Sequence, residues 1–185
     1  MTFKRFTFRT RARGILPCMD KNRTTVAALV VSAASLVGIA GYESYRGNAY
    51  LDSGNVATIG YGATAGVKLG DTTTPARALI RLHGDVSEHA RAIQRCIKAP
   101  LFQYEFDAYL SLACNIGAGA FCNPAKPAAP PTLIDLINAQ RYAEACARIR
   151  EFNKYRNPKT GQLEPLRGLT NRRELEYRTC VGDAP

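Results

Sequence analysis

Apolar, alternating and amphipathic stretches follow one another along this chain in an order that predicts most of its elements. Thr24 to Tyr42 is a run of 19 residues without a charge. Gly47 and Asn48 interrupt the apolar pattern, and Ala49-Tyr50-Leu51 then predicts a short strand. Ser53-Gly54-Asn55 predicts a hairpin turn and Val56 to Tyr61 the returning strand. Thr74-Pro75 is a helix start, with proline at the first helical position. It opens a run to Ile97 in which Ala78, Leu79, Leu82, Val86, Ala90, Ile93 and Ile97 share one face, and Gly84 predicts a break or bend. From Gln103 to Gly117 a second helix places Phe106, Tyr109, Leu110 and Ala113 on a core-facing stripe. Thr132 caps a third helix reaching Gln140, followed by Arg141-Tyr-Ala-Glu-Ala145. Gly168 to Glu176 predicts a charged closing helix. Asn123 to Pro131 holds four prolines and is read as a surface loop.

At 185 residues and 46% hydrophobic content, the chain can bury one ordinary core, with room for two lobes around a cleft. The formal charge of +10 is uneven. Residues 1–23 carry seven basic side chains against one acid; the remaining 162 residues carry 18 basic and 14 acidic groups. Most of the excess therefore lies outside the folded body and does not name a partner. None of the six cysteines forms a CxxC pair, and neither His83 nor His89 has metal-ligand spacing, so no metal site is expected. The two histidines are read as surface or packing residues. Reduced core thiols or disulfides remain open, depending on compartment.

The uncharged stretch bears on that choice. As a helix it would rise about 28 Å, close to the thickness of a bilayer core. Only seven of its residues are Val, Leu or Ile, so insertion should be marginal. The basic flank would keep residues 1–23 cytoplasmic and send the rest outward. Three readings are open: a buried helix, a cleaved signal peptide with small-x-small sites at Ser32-Ala33-Ala34 and Gly38-Ile39-Ala40, and a temporary membrane anchor. The anchor is the expectation, because the stretch exceeds a usual signal core yet makes a poor permanent span. Either form of export makes disulfides plausible.

Immediately after this stretch stand Glu43, Asp52 and Thr58. Cutting a glycoside needs one carboxylic acid that delivers a proton to the leaving oxygen and a second group that stabilises the sugar cation or activates water. Glu43 lies between apolar segments, where desolvation would favour its protonated form. Asp52 lies in a polar turn, where the ionised form is expected. The Thr58 hydroxyl can hold a water that Asp52 polarises. Taken singly, such acids are ordinary surface residues.

Their spacing carries more. Glu43, eight residues, Asp52, five residues, Thr58, then Ile59-Gly60-Tyr61-Gly62 resembles the active-site pattern of the phage-type lysozymes, glycoside hydrolase family 24. The resemblance runs from about Gly41 to Cys180. It includes the helix Gln103 to Gly117 with its Asn-x-Gly end, and the closing Gly168-Leu-Thr-Asn-Arg-Arg-Glu-Leu-Glu176. It departs where Cys114 replaces a usual aromatic and where Phe152 replaces a common Trp.

The resemblance implies an α+β, lysozyme-like fold, with a small β-hairpin lobe and a larger helical lobe flanking a cleft. Residues 1–23 would form a basic cytoplasmic tail, 24–42 a weakly hydrophobic signal-anchor and 43–185 the catalytic domain. The implied substrate is the β-1,4 bond between N-acetylmuramic acid and N-acetylglucosamine in peptidoglycan. Glu43 would act as general acid, and Asp52 and Thr58 would place water on an inverting route. Gly60, Tyr61, Gly62, Cys114 and Thr132 are implied substrate contacts, and Arg172 a support for Glu43. In a chain without Trp, Tyr61, Phe121 and Tyr104 are the candidates for sugar stacking. With export granted, Cys96 is paired with Cys122 and Cys146 with Cys180 among fifteen possible connectivities. Cys114 and Cys18 would be left as thiols.

The architecture also resembles signal-anchor-release endolysins, which implies that release of residues 24–42 from the inner membrane into the periplasm completes the site. A monomer acting on peptidoglycan, without cofactor or nucleic-acid partner, is expected. A lytic transglycosylase, a wall-binding protein without catalysis and a nucleic-acid binder are the rivals.

Overall fold

A computed structural model describes residues 22–52, 54–124 and 131–183. Cys18, nearly all of the basic tail and the middle of the proline-rich loop lie outside them. The order is a short 3-10 turn (Val26–Ala28), α1 (Ala33–Tyr42), β1 (Arg46–Leu51), β2 (Ala57–Gly60), α2 (Pro75–Cys96), α3 (Gln103–Ile116), α4 (Ala118–Cys122), α5 (Leu133–Asn138), α6 (Tyr142–Arg148), a 3-10 turn (Ile149–Glu151), β3 (Lys154–Arg156), β4 (Leu163–Pro165) and α7 (Arg167–Cys180). Among the described residues two separate antiparallel hairpins, β1-β2 and β3-β4, accompany the helices, giving the expected α+β architecture.

α3 is the hub, packed against α1, α2, α4 and α7. Every residue from Glu105 to Ala113 is buried, so α3 presents no solvated face. Phe102 N–H donates to the Glu105 carboxylate at 2.8 Å, which satisfies an orphan donor at the helix start. Gly117 ends the helix at φ +88°, a conformation that suits glycine. α2 starts as its sequence dictates: Thr74 Oγ1 accepts from Arg77 N, and Pro75 follows. Gly84 does not break it. A mid-helix glycine costs about 1 kcal/mol relative to alanine, less than burial of Leu82, Val86 and Ile93 returns at about 1.5–3 kcal/mol each. Leu79, expected on the buried face, is instead 37% exposed. Thr132 caps α5 reciprocally with Asp135.

Residues 24–42 do not form one long helix. Thr24 bridges to Leu101, Val26 and Leu29 enter the core, and α1 begins only after Ser32, whose Oγ accepts from Ser35 N. Ile39 of α1 is also in the core. Among the described residues no helix is long and apolar enough to cross a membrane. The uncharged stretch is here the first layer of the globular body.

The closing helix α7 is far from a solvated charged rod. Glu176 is buried with Arg172 and Arg173, and Ser111 Oγ of α3 donates to its carboxylate at 2.7 Å. Arg172 and Arg173 donate to the same oxygen at 3.1 and 2.8 Å. Cys96–Cys122 ties α2 to α4, and Cys146–Cys180 ties α6 to the end of α7.

Candidate active-site cleft

Glu43 terminates α1: its N–H donates to Ala40 O at 3.2 Å and its backbone then turns extended. The side chain points toward the loop after β2. That loop is tight, because Ile59 and Ala63 exchange both backbone hydrogen bonds and Gly60 and Gly62 adopt positive φ. A Cβ at Gly62 would lie 3.5 Å from Glu43 Oε2, so the carboxylate rests on bare backbone. At Gly60 a Cβ would come within 2.8 Å of the Ala78 Cβ, so this glycine lets the hairpin sit on α2.

Around Glu43 opens a cavity of about 340 Å³ lined by Tyr61, Gly62, Asp85, His89 and Cys114, among others. Glu43 itself is exposed; the cover expected from its apolar neighbours is not provided by the protein alone. Asp52 and Thr58 stand on the hairpin, outside this lining. Asp52 Oδ1 accepts from Gly54 N at 2.8 Å and from Val56 N at 2.9 Å. Thr58 is buried, and its hydroxyl donates to Val56 O at 3.0 Å. Both side chains are thus tied to the backbone of one residue, Val56, Asp52 through its N–H and Thr58 through its carbonyl. No hydrogen bond joins either of them to Glu43 among the described residues.

The other sequence candidates fall into different places. Tyr61, half-buried and 5.5 Å from the Tyr45 ring, lies in the cavity. Gly60 lines an adjoining pocket of about 180 Å³ with Tyr61, Thr73 and Arg81. Cys114 is a free thiol in the cavity wall, and burial pushes its pKa up to about 12. Thr132 spends both hydroxyl bonds on Asp135 as a helix cap. Phe121 is buried against Tyr109 in the core, and Tyr104 stacks on Phe102 at 5.1 Å, so neither ring is offered to the cavity. Arg172 donates to Glu176 and to Ser111 O, and its guanidinium lies 4.3 Å from the Tyr42 ring centroid. Its expected contact with Glu43 is absent from the hydrogen bonds among the described residues; the ring it meets is that of Tyr42, one residue earlier.

The sequence reading took His89 for a surface or packing residue and did not single out Asp85. Both flank the Leu82–Val86 stripe of α2, one step round from its buried face, and this places them at the cavity wall.

The chain is similar to known proteins in both sequence and fold. The family model "Phage lysozyme" matches residues 40–176. An endolysin of Acyrthosiphon pisum secondary endosymbiont phage 1 is 35% identical over 147 residues, covering 79% of this chain and 94% of that protein. A SAR-endolysin of Pseudomonas phage phiKMV is 33% identical over 155 residues, covering 84% and 89%. Among solved structures, an endolysin from Escherichia coli O157:H7 phage FAHEc1 superposes with a TM-score of 0.74 at 31% identity, covering 85% of this chain and 98% of that one.

Proposed function

Since the chain belongs to the phage lysozyme family, a group of peptidoglycan-lysing hydrolases, we propose that it cuts the β-1,4 bond between N-acetylmuramic acid and N-acetylglucosamine with Glu43 as proton donor. The observation that carries this reading is the Glu43 carboxylate, held at the end of α1 against the bare backbone of Gly62 inside a cleft cavity. A glycan strand in that cavity would displace water from Glu43 and so supply the desolvation that favours the protonated acid. Proton transfer to the glycosidic oxygen then lets the bond break as positive charge grows on the sugar. Asp52 has one oxygen anchored by two backbone donors, and Thr58 has its hydrogen committed to Val56 O while its lone pairs stay available. Together they suit the holding of a water for attack on the far face of the sugar.

The same reading extends to delivery. Relatives named SAR-endolysins and the uncharged run 24–42 favour export through the inner membrane as a tethered form, followed by release. The described structure is then the released form, since its first core layer is the former anchor.

Glu43→Gln tests the chemistry. Its expected outcome is loss of turbidity clearing of peptidoglycan suspensions by about 100-fold or more. Product analysis on the parent should find reducing ends; anhydro-sugar ends would instead assign a transglycosylase, and unimpaired clearing by Glu43→Gln would remove it as the acid.

A further inference from the structure

We propose that Arg23 is a key with two positions. It is a membrane-flanking cation while residues 24–42 lie in the bilayer. After release it fills a cation box on the body, built from Glu105, Phe102 and Tyr142, and locks the segment there. The proposal rests on the release reading above and adds the residue that makes release one-way.

Arg23 is the last of the seven cations before the uncharged stretch. In the structure its guanidinium makes three contacts with the Glu105 carboxylate, Nε at 3.2 and 3.0 Å and Nη2 at 2.7 Å. The Glu105 side chain is 3% exposed. Above it the guanidinium lies 3.7 Å from the Tyr142 ring centroid and 4.5 Å from that of Phe102. A planar, weakly hydrated guanidinium suits such a slot between aromatic faces and a carboxylate better than a compact ammonium does. Without Arg23 the box is a buried carboxylate whose other hydrogen bond comes from Phe102 N–H. A charge left in that state is costly.

The contacts that follow Arg23 show what the box secures. Thr24 and Leu101 exchange backbone bonds at 2.9 Å each. Gln94 Nε2 donates to Val26 O and Leu29 O at 3.1 and 2.9 Å, and Gln103 Nε2 to Val30 O at 2.8 Å. Ser32 Oγ donates to Asp107 Oδ2 at 2.6 Å, at the cap of the helix that ends in Glu43. In a membrane-spanning helix the carbonyls of Val26, Leu29 and Val30 must all be used internally, because lipid offers them no partner. The body's glutamines take those same carbonyls. In the docked form Leu29 and Ser32 are extended, so a continuous helix and this arrangement exclude each other, and the box holds the docked one at its amino-terminal end.

Trypsin reads the box directly, since cleavage after Arg23 requires its side chain to leave Glu105. Full-length chain, refolded and oxidised in detergent-free buffer, is digested briefly and cleavage at the 23–24 bond is followed by mass spectrometry. Slow cleavage is expected in the parent, accelerating on the order of 10-fold or more in Glu105→Gln, where the charge is lost. Tyr142→Leu leaves the Glu105 carboxylate in place and removes one aromatic wall; a smaller acceleration is expected, and this variant decides the matter if Glu105→Gln does not fold. Unchanged cleavage in the folded variants overturns the proposal. Both substitutions leave residues 1–42 intact, so membrane insertion is unaltered in cells, and a larger membrane-bound fraction is expected from each. Should the parent itself never leave the membrane, the release reading fails, while the trypsin result still decides whether the box holds Arg23.

Discussion

Cys114 shows how far a single side chain can be shaped by its surroundings. It stands in the cleft wall near Glu43, yet burial holds its pKa at about 12. At pH 8 roughly one molecule in ten thousand carries the thiolate, the form that reacts. Iodoacetamide labelling of the Cys114 peptide at pH 8 should therefore run about 1,000-fold slower than that of free cysteine. Raising the pH toward 10 should speed it about tenfold per unit, because the thiol loses its proton only as pH climbs toward the raised value. Rapid labelling at pH 8 would mean that the wall opens. At this scale the sequence identified chemistry better than location. Tyr61 and Phe121 are both aromatic candidates by composition; a five-residue helix turns Phe121 into the core, and its residues show no periodicity long enough to reveal that. The cavity-wall positions of Asp85 and of His89, the latter read as a surface or packing residue, were illegible for the opposite reason: both are ordinary polar residues that border a buried stripe.

Among the elements, the hairpin β1-β2 depends on one close approach. Gly60 combines φ +68° with a Cβ position 2.8 Å from Ala78. Gly60→Ala should lose about 2–3 kcal/mol in urea unfolding, from backbone strain and forced separation of the hairpin from α2. The covalent links act at the same scale: replacing Cys146 and Cys180 by Ser should lower stability by about 2–4 kcal/mol, since α7 then loses its tie to α6. Long helices with an apolar period, α2 and α3, were legible directly, to within a residue or two at their ends. β1 was foreseen too short. It starts at Arg46 because Gly47 and Ala49 find backbone partners in Thr73 and Asp71, across a loop no local pattern announces. The hairpin β3-β4 was missed altogether. All of β3 is exposed, so it shows no in-out alternation, and only Pro158 and Gly161 hinted at a turn.

For the molecule as a whole, the proposed anchoring role would have the uncharged run at residues 24–42 serve two solvents in turn. Its sparse branched side chains make a weak membrane span, and three of them, Val26, Leu29 and Ile39, are core residues of the folded body. The remaining surface of α1 leaves room to shift that balance. Gly38 is exposed, and no atom lies within 4 Å of where its Cβ would stand, so the docked form has room for a side chain to start there. Gly38→Leu should strengthen the membrane-bound form and delay lysis in a culture time course; an onset equal to the parent's would mean that the tether does not set the clock. Ser35, another small residue of this helix, is buried and offers no such freedom.

The placement of the two disulfides carries one more consequence. Both close loops within residues 96–180, and neither clasps the amino-terminal layer. Oxidation can therefore finish a stapled receptacle while its first forty-odd residues are still engaged elsewhere. In the proposed tethered form, maturation would be an act of insertion, governed by noncovalent fit, into a body whose cross-links at residues 96–180 are already closed.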